Sequence, residues 1–261
     1  MKKTSSFLAF MLAGLLIGSA CNQAKQENAV VDKVKVDNAN TTNAANTASS
    51  SPAKASTPAP SAPKDISGEY DITGTNENGA GNYKGTLDVT KRDEVYQFSW
   101  DTAGKKYDGV GVQNGSAVAV AFTEGTNGKG CGVVLYKIGA DGTLDGKAGY
   151  WGVNTSESET AARTSGSDLT GEYDIKGTNP DGKDYTGKLS VKSEGTGYTF
   201  KWTGANTLEG FGIRQGDSIA VGLGGKQCGF VSYVVKSDGT LDGKWGGYGS
   251  TEVGTETAKK K

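Results

Sequence analysis

Histidine is absent from this sequence of 261 residues. Its absence excludes Ser-His-Asp and Cys-His nucleophile pairs, histidine metal ligands and the commonest general base. An excess of positive charge is also lacking, since the chain has 28 Lys and Arg residues and 29 Asp and Glu residues. Without a basic field the chain has little attraction for phosphate backbones, so we expect no nucleic-acid partner.

Apolar runs long enough to cross a membrane are also missing from the sequence. The main run, residues 7–17, has eleven residues, too few for a helix to span about 30 Å of hydrocarbon. Lys2 and Lys3 precede this run, and the small residues 18–20 (GSA) follow it. This order predicts a secretory signal peptide over residues 1–20.

Cys21 is expected to be the first residue of the mature chain. Residues 17–21 (IGSAC) resemble a bacterial lipobox, whose cysteine receives a lipid, although Gly18 stands where Leu is usual. An ordinary signal peptidase would also accept these small residues. Lipidation of Cys21 would leave two cysteines, an even number that suits an oxidising compartment.

Glycine and aromatic residues are absent from residues 22–65, although the whole chain has 41 glycines. Four of the five prolines fall in this stretch, which Ala, Ser, Thr, Asn and Lys dominate. Such a composition cannot bury enough apolar surface to offset the entropy of ordering it. We therefore expect residues 21–65 to be the lipidated N-terminus and a disordered tether, with a short helix over 29–36 as the alternative.

The rest of the sequence, residues 66–261, consists of two copies of one repeat. Residues 66–76 (ISGEYDITGTN) recur as residues 169–179 (LTGEYDIKGTN), an offset of 103 positions (169 minus 66). This period exceeds the roughly 20 to 50 residues of solenoid repeats. We therefore predict that each copy is a whole small domain, repeat 1 over residues 66–162 and repeat 2 over residues 168–261.

Apolar and polar residues alternate within each copy, with turn residues about every 8 to 12 positions, as in all-β sandwiches and barrels. Eight strands are expected in repeat 2, starting near Glu172, Tyr185, Tyr198, Leu208, Ser218, Gly229, Thr240 and Thr251. The sequence therefore predicts an all-β fold of two tandem antiparallel barrels, with a two-sheet sandwich as second choice.

Aromatic residues dominate the faces expected to point inward, and in so small a volume they favour a filled core over a ligand cavity. The predicted barrel core comprises Tyr70, Tyr96, Phe98, Trp100, Tyr173, Tyr198, Phe200 and Trp202.

Two strands break the pattern of one apolar face. If Val134 and Tyr136 point inward, their neighbours point outward and form an apolar strip, which often marks an interface. The residues of these strips are Cys131, Val133 and Leu135 in repeat 1 and Cys228 and Phe230 in repeat 2. We hypothesise that the strips pack the copies together and that the cysteines form a disulfide. The alternative is that each cysteine is simply a small buried residue.

The acidic residues that recur in both copies are the candidates for acid–base chemistry, as in glycoside hydrolysis. They are Glu69, Asp71, Asp145 and Glu159, with Glu172, Asp174, Asp242 and Glu256. Solvated strand faces explain them as well, so we predict no catalytic residue and no enzyme. Residues 141–146 (DGTLDG) suggest a hairpin turn rather than a calcium loop. We expect no metal site and no cofactor.

Taken together, the repeated motifs resemble a loosely characterised family of exported bacterial proteins, often lipoproteins, that carry this unit once or more. The resemblance covers residues 66–258 and includes Gly-Glu-Tyr, Tyr-x-Phe-x-Trp, Cys-Gly and Asp-Gly-Thr-Leu-Asp-Gly-Lys in both copies. Some members are labelled as fibronectin-binding. Repeat 1 departs from the pattern, with Ala148 at the position of Trp245 and a longer segment around residues 154–159.

These features predict an exported lipoprotein, held at the outer membrane or cell surface by its lipid, that acts as a non-enzymatic binding or adhesion module. The expected partner is an extracellular protein or glycan, which two similar domains would capture bivalently. A periplasmic inhibitor or envelope structural protein is one alternative, and a barrel that binds a small ligand is another.

Overall fold

The computed structural model describes residues 64–125, 127–250 and 252–261 of the protein. The signal peptide, Cys21 and nearly all of the predicted tether lie outside these residues. The strands are β1 Gly68–Thr75, β2 Asn82–Arg92, β3 Val95–Thr102, β4 Lys105–Asn114, β5 Ala117–Glu124, β6 Gly132–Ile138, β7 Leu144–Tyr150 and β8 Glu157–Ser167. They continue with β9 Thr170–Thr178, β10 Asp184–Glu194, β11 Gly197–Thr203, β12 Thr207–Gln215, β13 Ser218–Leu223, β14 Gly229–Val235, β15 Leu241–Gly247 and β16 Gly254–Lys260.

Two short 3₁₀ turns lie between strands, Glu77–Gly79 between β1 and β2 and Gly225–Gln227 between β13 and β14. Within the described residues, no helical segment has the length and hydropathy to span a membrane.

The strands form two closed antiparallel barrels of eight strands each, which confirms the predicted fold class. The first barrel consists of β1–β5 followed by β14–β16, and β16 pairs with β1 to close it. The second barrel consists of β6–β13, and β13 pairs with β6 to close it. Neighbouring strands in each barrel are consecutive in the chain, except for the pairs β1–β16, β5–β14 and β6–β13.

The prediction that each repeat forms its own barrel is wrong, because both barrels contain strands of both repeats. The link between the repeats explains this. Only Asp168 and Leu169 separate β8 from β9, and so short a link makes the two strands an antiparallel hairpin in one sheet. The first strand of repeat 2 thus takes the place beside β8 that β1 would need, and β1 pairs with β16 instead.

Each barrel is filled by its own cluster of apolar side chains, and the residues predicted as core are buried members of these clusters except Tyr198, which is partly buried and packs against the second. Tyr70 and Phe98 are core residues of the first barrel, and Tyr173 and Phe200 are their counterparts in the second. A buried residue ahead of the first strand of each repeat, Ile66 or Leu169, accepts a hydrogen bond from the tyrosine four positions later. These contacts fix the segment that leads into each barrel.

The barrels pack against each other through an apolar interface. Small residues let them approach closely, since Ala119 on β5 and Ala220 on β13 are fully buried there. Bulkier side chains flank this contact, with Val110 and Val133 on one side and Phe211 and Phe230 on the other. The interface is therefore formed by corresponding strands of the two barrels, with β5 and β13 in contact at its centre.

Candidate ligand-binding site

A buried glutamate lies at the centre of a row of paired residues across the first barrel. Glu256 on β16 pairs with Gly74 on one side and Gly243 on the other. Beyond these glycines, Tyr83 pairs with Gly74 and Tyr233 pairs with Gly243. We call this series the tyrosine–glutamate row of the first barrel.

The glycines of the row make room for the two tyrosine rings. A Cβ atom added to Gly74 would lie 2.4 Å from Cζ of Tyr83, and one added to Gly243 would lie 2.4 Å from Cδ1 of Tyr233. Both rings therefore lie across a residue without a side chain and reach the carboxyl of Glu256. This arrangement accounts for part of the high glycine content of the chain.

Three neutral donors bind the Glu256 carboxyl. Trp100 Nε1 donates to Oε1 at 3.0 Å, Tyr233 donates its hydroxyl hydrogen to the same oxygen, and Tyr83 donates to Oε2 at 2.8 Å. The residue is only 5% exposed. In the described part of the chain, no lysine or arginine forms an ion pair with it. The site thus holds a buried acidic group that lacks a cationic partner of its own.

Burial raises the pKa of Glu256 above its usual value, and the three hydrogen bonds oppose this shift only in part. The same burial, together with the nearby carboxyl, raises the pKa of Tyr83 and Tyr233, so both remain hydrogen-bond donors at neutral pH. Ionising Glu256 inside the barrel therefore costs free energy that a bound cation would offset.

The second barrel contains the same row, built from Tyr185, Gly177, Glu159, Gly146 and Tyr136. Glu159 accepts hydrogen bonds from both tyrosines and from Trp202, the counterpart of Trp100. Burial raises its pKa as well. The row is therefore a feature of the repeated unit and not of one barrel alone.

Beside the row, the first barrel has an open pocket of about 320 Å³ with Glu256 in its lining. The other lining residues are mostly aromatic and come from the strand ends near the chain crossings: Asn76, Tyr83, Trp100, Thr102, Ala103, Lys105, Tyr107, Phe122, Val231 and Trp245. Lys105, the cation among them, is exposed, and its Nζ lies 3.8 Å from Oε2 of Glu124. The pocket thus combines apolar walls with one buried carboxyl, as ligand sites commonly do.

The aromatic walls are in contact with one another. The ring centroids of Trp100 and Phe122 are 5.5 Å apart, and those of Phe122 and Tyr107 are 5.8 Å apart. Trp245 meets Tyr83 edge to face at 6.3 Å and donates from Nε1 to the carbonyl of Thr75 at 3.2 Å. These contacts hold the walls in place before any ligand binds.

The corresponding end of the second barrel has different side chains. Strand pairing places Ala148 at the position of Trp245, and Leu208 and Leu223 at those of Tyr107 and Phe122.

A second carboxyl also occupies that end of the second barrel. Glu157 stands at the position of Gly254 and accepts hydrogen bonds from Tyr150 and Tyr185. The second barrel therefore lacks three of the aromatic walls and carries the Tyr150–Glu157 pair where the first barrel has Gly247 and Gly254.

The structure places the remaining predicted site residues as follows. Cys131 and Cys228 form a disulfide, and Val133, Leu135 and Phe230 are buried between the barrels. The disulfide joins the two segments, residues 125–131 and 224–228, through which the chain crosses from one barrel to the other.

Of the eight acidic candidates, only Glu159 and Glu256 are buried, and they belong to different barrels. The other acidic candidates are exposed or half-buried. No described group of three or more His, Cys, Asp or Glu side chains is placed to hold a metal ion.

Sequence reasoning missed Tyr83, Tyr107, Phe122 and Trp245 as members of one site. One signal was available for Glu256, because it stands two positions before Ala258 and therefore shares the inward face of β16. The expectation of a filled barrel holds for most of the interior, but not for this end of the first barrel.

The raised pKa of Glu256 predicts a specific pH dependence of stability. In the unfolded chain this carboxyl loses its proton near its usual pKa of 4.5, whereas in the folded protein it loses it at higher pH. The free energy of unfolding of the native chain relative to Glu256→Gln should therefore fall as pH rises from about 4.5 toward neutrality. Urea denaturation of both proteins at several pH values measures this difference, with Glu69→Gln on the outer surface as control. Curves for the native chain and Glu256→Gln that stay parallel would contradict it.

No protein-family model matches the chain, and no curated protein and no solved structure is significantly similar to it.

Proposed function

We propose that this protein is an exported, lipid-anchored binding protein without catalytic activity, and that the open end of the first barrel is its binding site. The observation that carries the proposal is the pocket of about 320 Å³, with preformed aromatic walls and Glu256 in its lining. The signal peptide predicted over residues 1–20 and the lipobox-like residues before Cys21 support export and anchoring. Among the acidic residues that recur in both repeats, the two buried ones, Glu159 and Glu256, lie in different barrels and so do not form a paired acid and base.

Bivalent adhesion through two equal domains is supported less well. The two barrels differ where they could present a site, since Trp245 of the first corresponds to Ala148 of the second. Two unlike ends do not offer the same contact twice, which avidity for one repeated partner requires. Capture of an extracellular protein or glycan stays a prediction from the sequence.

Tryptophan fluorescence of the purified full chain tests the proposal, because Trp100 and Trp245 line the pocket. The panel contains a neutral aromatic (indole), an anionic aromatic (benzoate), an organic cation (choline) with its uncharged isostere 3,3-dimethylbutan-1-ol, and a sugar (glucose). We expect at least one compound to cause a saturable change in fluorescence and to bind Trp245→Ala more weakly. Ala148 occupies the same position in the second barrel, so the fold accommodates alanine there. If no compound binds up to millimolar concentration, the pocket is not a small-ligand site.

A further inference from the structure

The buried carboxyl of Glu256 limits which chemical classes of ligand the pocket can bind. Glu256 uses three acceptor positions for Trp100, Tyr233 and Tyr83, whereas an ionised carboxyl offers about four. Only Tyr83 binds Oε2, so that oxygen keeps capacity for one further donor.

Positive charge to balance Glu256 is not supplied from within the described residues. Lys105 faces the pocket from the rim, but its side chain is 64% exposed and lies beside Glu124. Water and salt screen such a charge. An anion entering the pocket would gain little from Lys105 and would be repelled by the buried carboxyl. A cation would be attracted by the buried carboxyl and repelled only weakly by Lys105.

The walls favour the same class of ligand. Faces of Trp, Tyr and Phe rings attract organic cations through the ring quadrupole, and aromatic cages recognise quaternary and alkylated ammonium groups in this way. Trp100, Tyr107, Phe122 and Trp245 come from four different strands around one pocket. Their apolar surface would also suit the carbon substituents of such a cation.

We propose that the pocket of the first barrel binds a small organic cation, a quaternary or protonated amine, with its charged group near Glu256 and its carbon substituents against Trp100, Tyr107, Phe122 and Trp245. This inference rests on the proposed function and adds the chemical class of the ligand. The second barrel does not share the site, because Ala148, Leu208 and Leu223 replace three of the aromatic residues.

Calorimetric titration with choline and with 3,3-dimethylbutan-1-ol, its uncharged isostere, tests the proposal on the full chain. The two probes share shape, so the ratio of their affinities reports on charge. We expect choline to bind at least tenfold more tightly than the alcohol. Glu256→Gln should lower choline affinity by about tenfold to a hundredfold, because it removes the Coulombic attraction of one partly buried charge pair, and change binding of the alcohol little.

Glu159→Gln is the matched control, since it makes the same substitution in the row of the second barrel, and it should leave both affinities unchanged. If the Glu256→Gln protein does not fold, the Tyr107→Leu and Phe122→Leu proteins are titrated in its place. They introduce the residues of the second barrel, and each should weaken choline binding several-fold.

The outcomes separate the two proposals. Equal binding of choline and the alcohol, or retention of choline binding in Glu256→Gln, overturns the cation inference and leaves the binding function standing. Binding of benzoate or glucose in place of choline has the same meaning. Failure of every probe, benzoate, indole and glucose included, overturns both.

Discussion

A chain that ends at Gly225 should keep one folded barrel, and that barrel should comprise residues 132–223. Such a chain retains all eight strands of the second barrel, β6–β13, but the first barrel loses β14–β16. The opposite result follows if each repeat closes on itself, because the truncation would then spare residues 66–162 and destroy the barrel of repeat 2.

The expected effect on the first barrel is complete unfolding. The missing strands contribute Val231, Tyr233, Leu241 and Ala258 to its core. Burial of one large apolar side chain stabilises a protein by about 1.5–3 kcal/mol, and the whole stability of a domain is about 5–15 kcal/mol. Five strands without these residues and without closure therefore lack the free energy to stay folded.

Limited trypsin digestion followed by mass measurement identifies the surviving barrel. The resistant fragment should begin near residue 132 and end near residue 223, and the isolated fragment 132–223 should give the same pattern. The full chain, digested in parallel, should protect both barrels. A resistant fragment that begins near residue 66 and ends near residue 162 would show that the repeats close separately.

The number of strands and the core were predictable because they depend on local patterns. Alternation places Tyr198, Phe200 and Trp202 on one face whatever strand lies beside them. The same rule placed Val133 and Leu135 on the outer face of β6, where they are buried between the barrels. Properties that each strand carries in its own sequence could therefore be read without knowledge of the fold.

Strand partners could not be predicted in the same way. Duplication makes β6 and β14 similar in sequence, so β5 has two partners that suit its pattern equally well. The one informative feature is the two-residue link at Asp168 and Leu169, which forces β8 and β9 into a hairpin. That feature becomes decisive only when the ends of both strands are known, and strand ends are the least certain part of a sequence-based assignment.

The candidate site was unpredictable for a related reason. Gly74 and Glu256 are paired across strands that lie 182 positions apart (256 minus 74), and nothing local indicates that they meet. The sequence shows Ala148 at the position of Trp245, but only as a departure from the repeated pattern. In the structure both strands pair normally, and the replacement changes the end of the barrel.

Loss of the disulfide should destabilise the second barrel more than the first. Cys131 and Cys228 are 97 positions apart and enclose the whole second barrel. Chain-entropy arguments assign a loop of this length about 4.7 kcal/mol, and removing a native disulfide typically costs about 2–5 kcal/mol. While the second barrel is folded, the pairing of β6 with β13 already holds the ends of this loop together. The disulfide therefore adds little resistance to unfolding of the first barrel alone.

Hydrogen exchange of the Cys131→Ala/Cys228→Ala protein, followed peptide by peptide, separates the two barrels. Amides of β6–β13 should lose protection equivalent to about 2–5 kcal/mol, and those of β1–β5 and β14–β16 should lose much less. Reduction of the unmodified chain should reproduce this pattern, which distinguishes loss of the cross-link from the effect of the alanines on interface packing. An equal loss in both barrels would mean that they unfold as one cooperative unit through their shared interface. No loss of protection in either barrel would mean that the disulfide between Cys131 and Cys228 does not measurably reduce the conformational entropy of the unfolded chain.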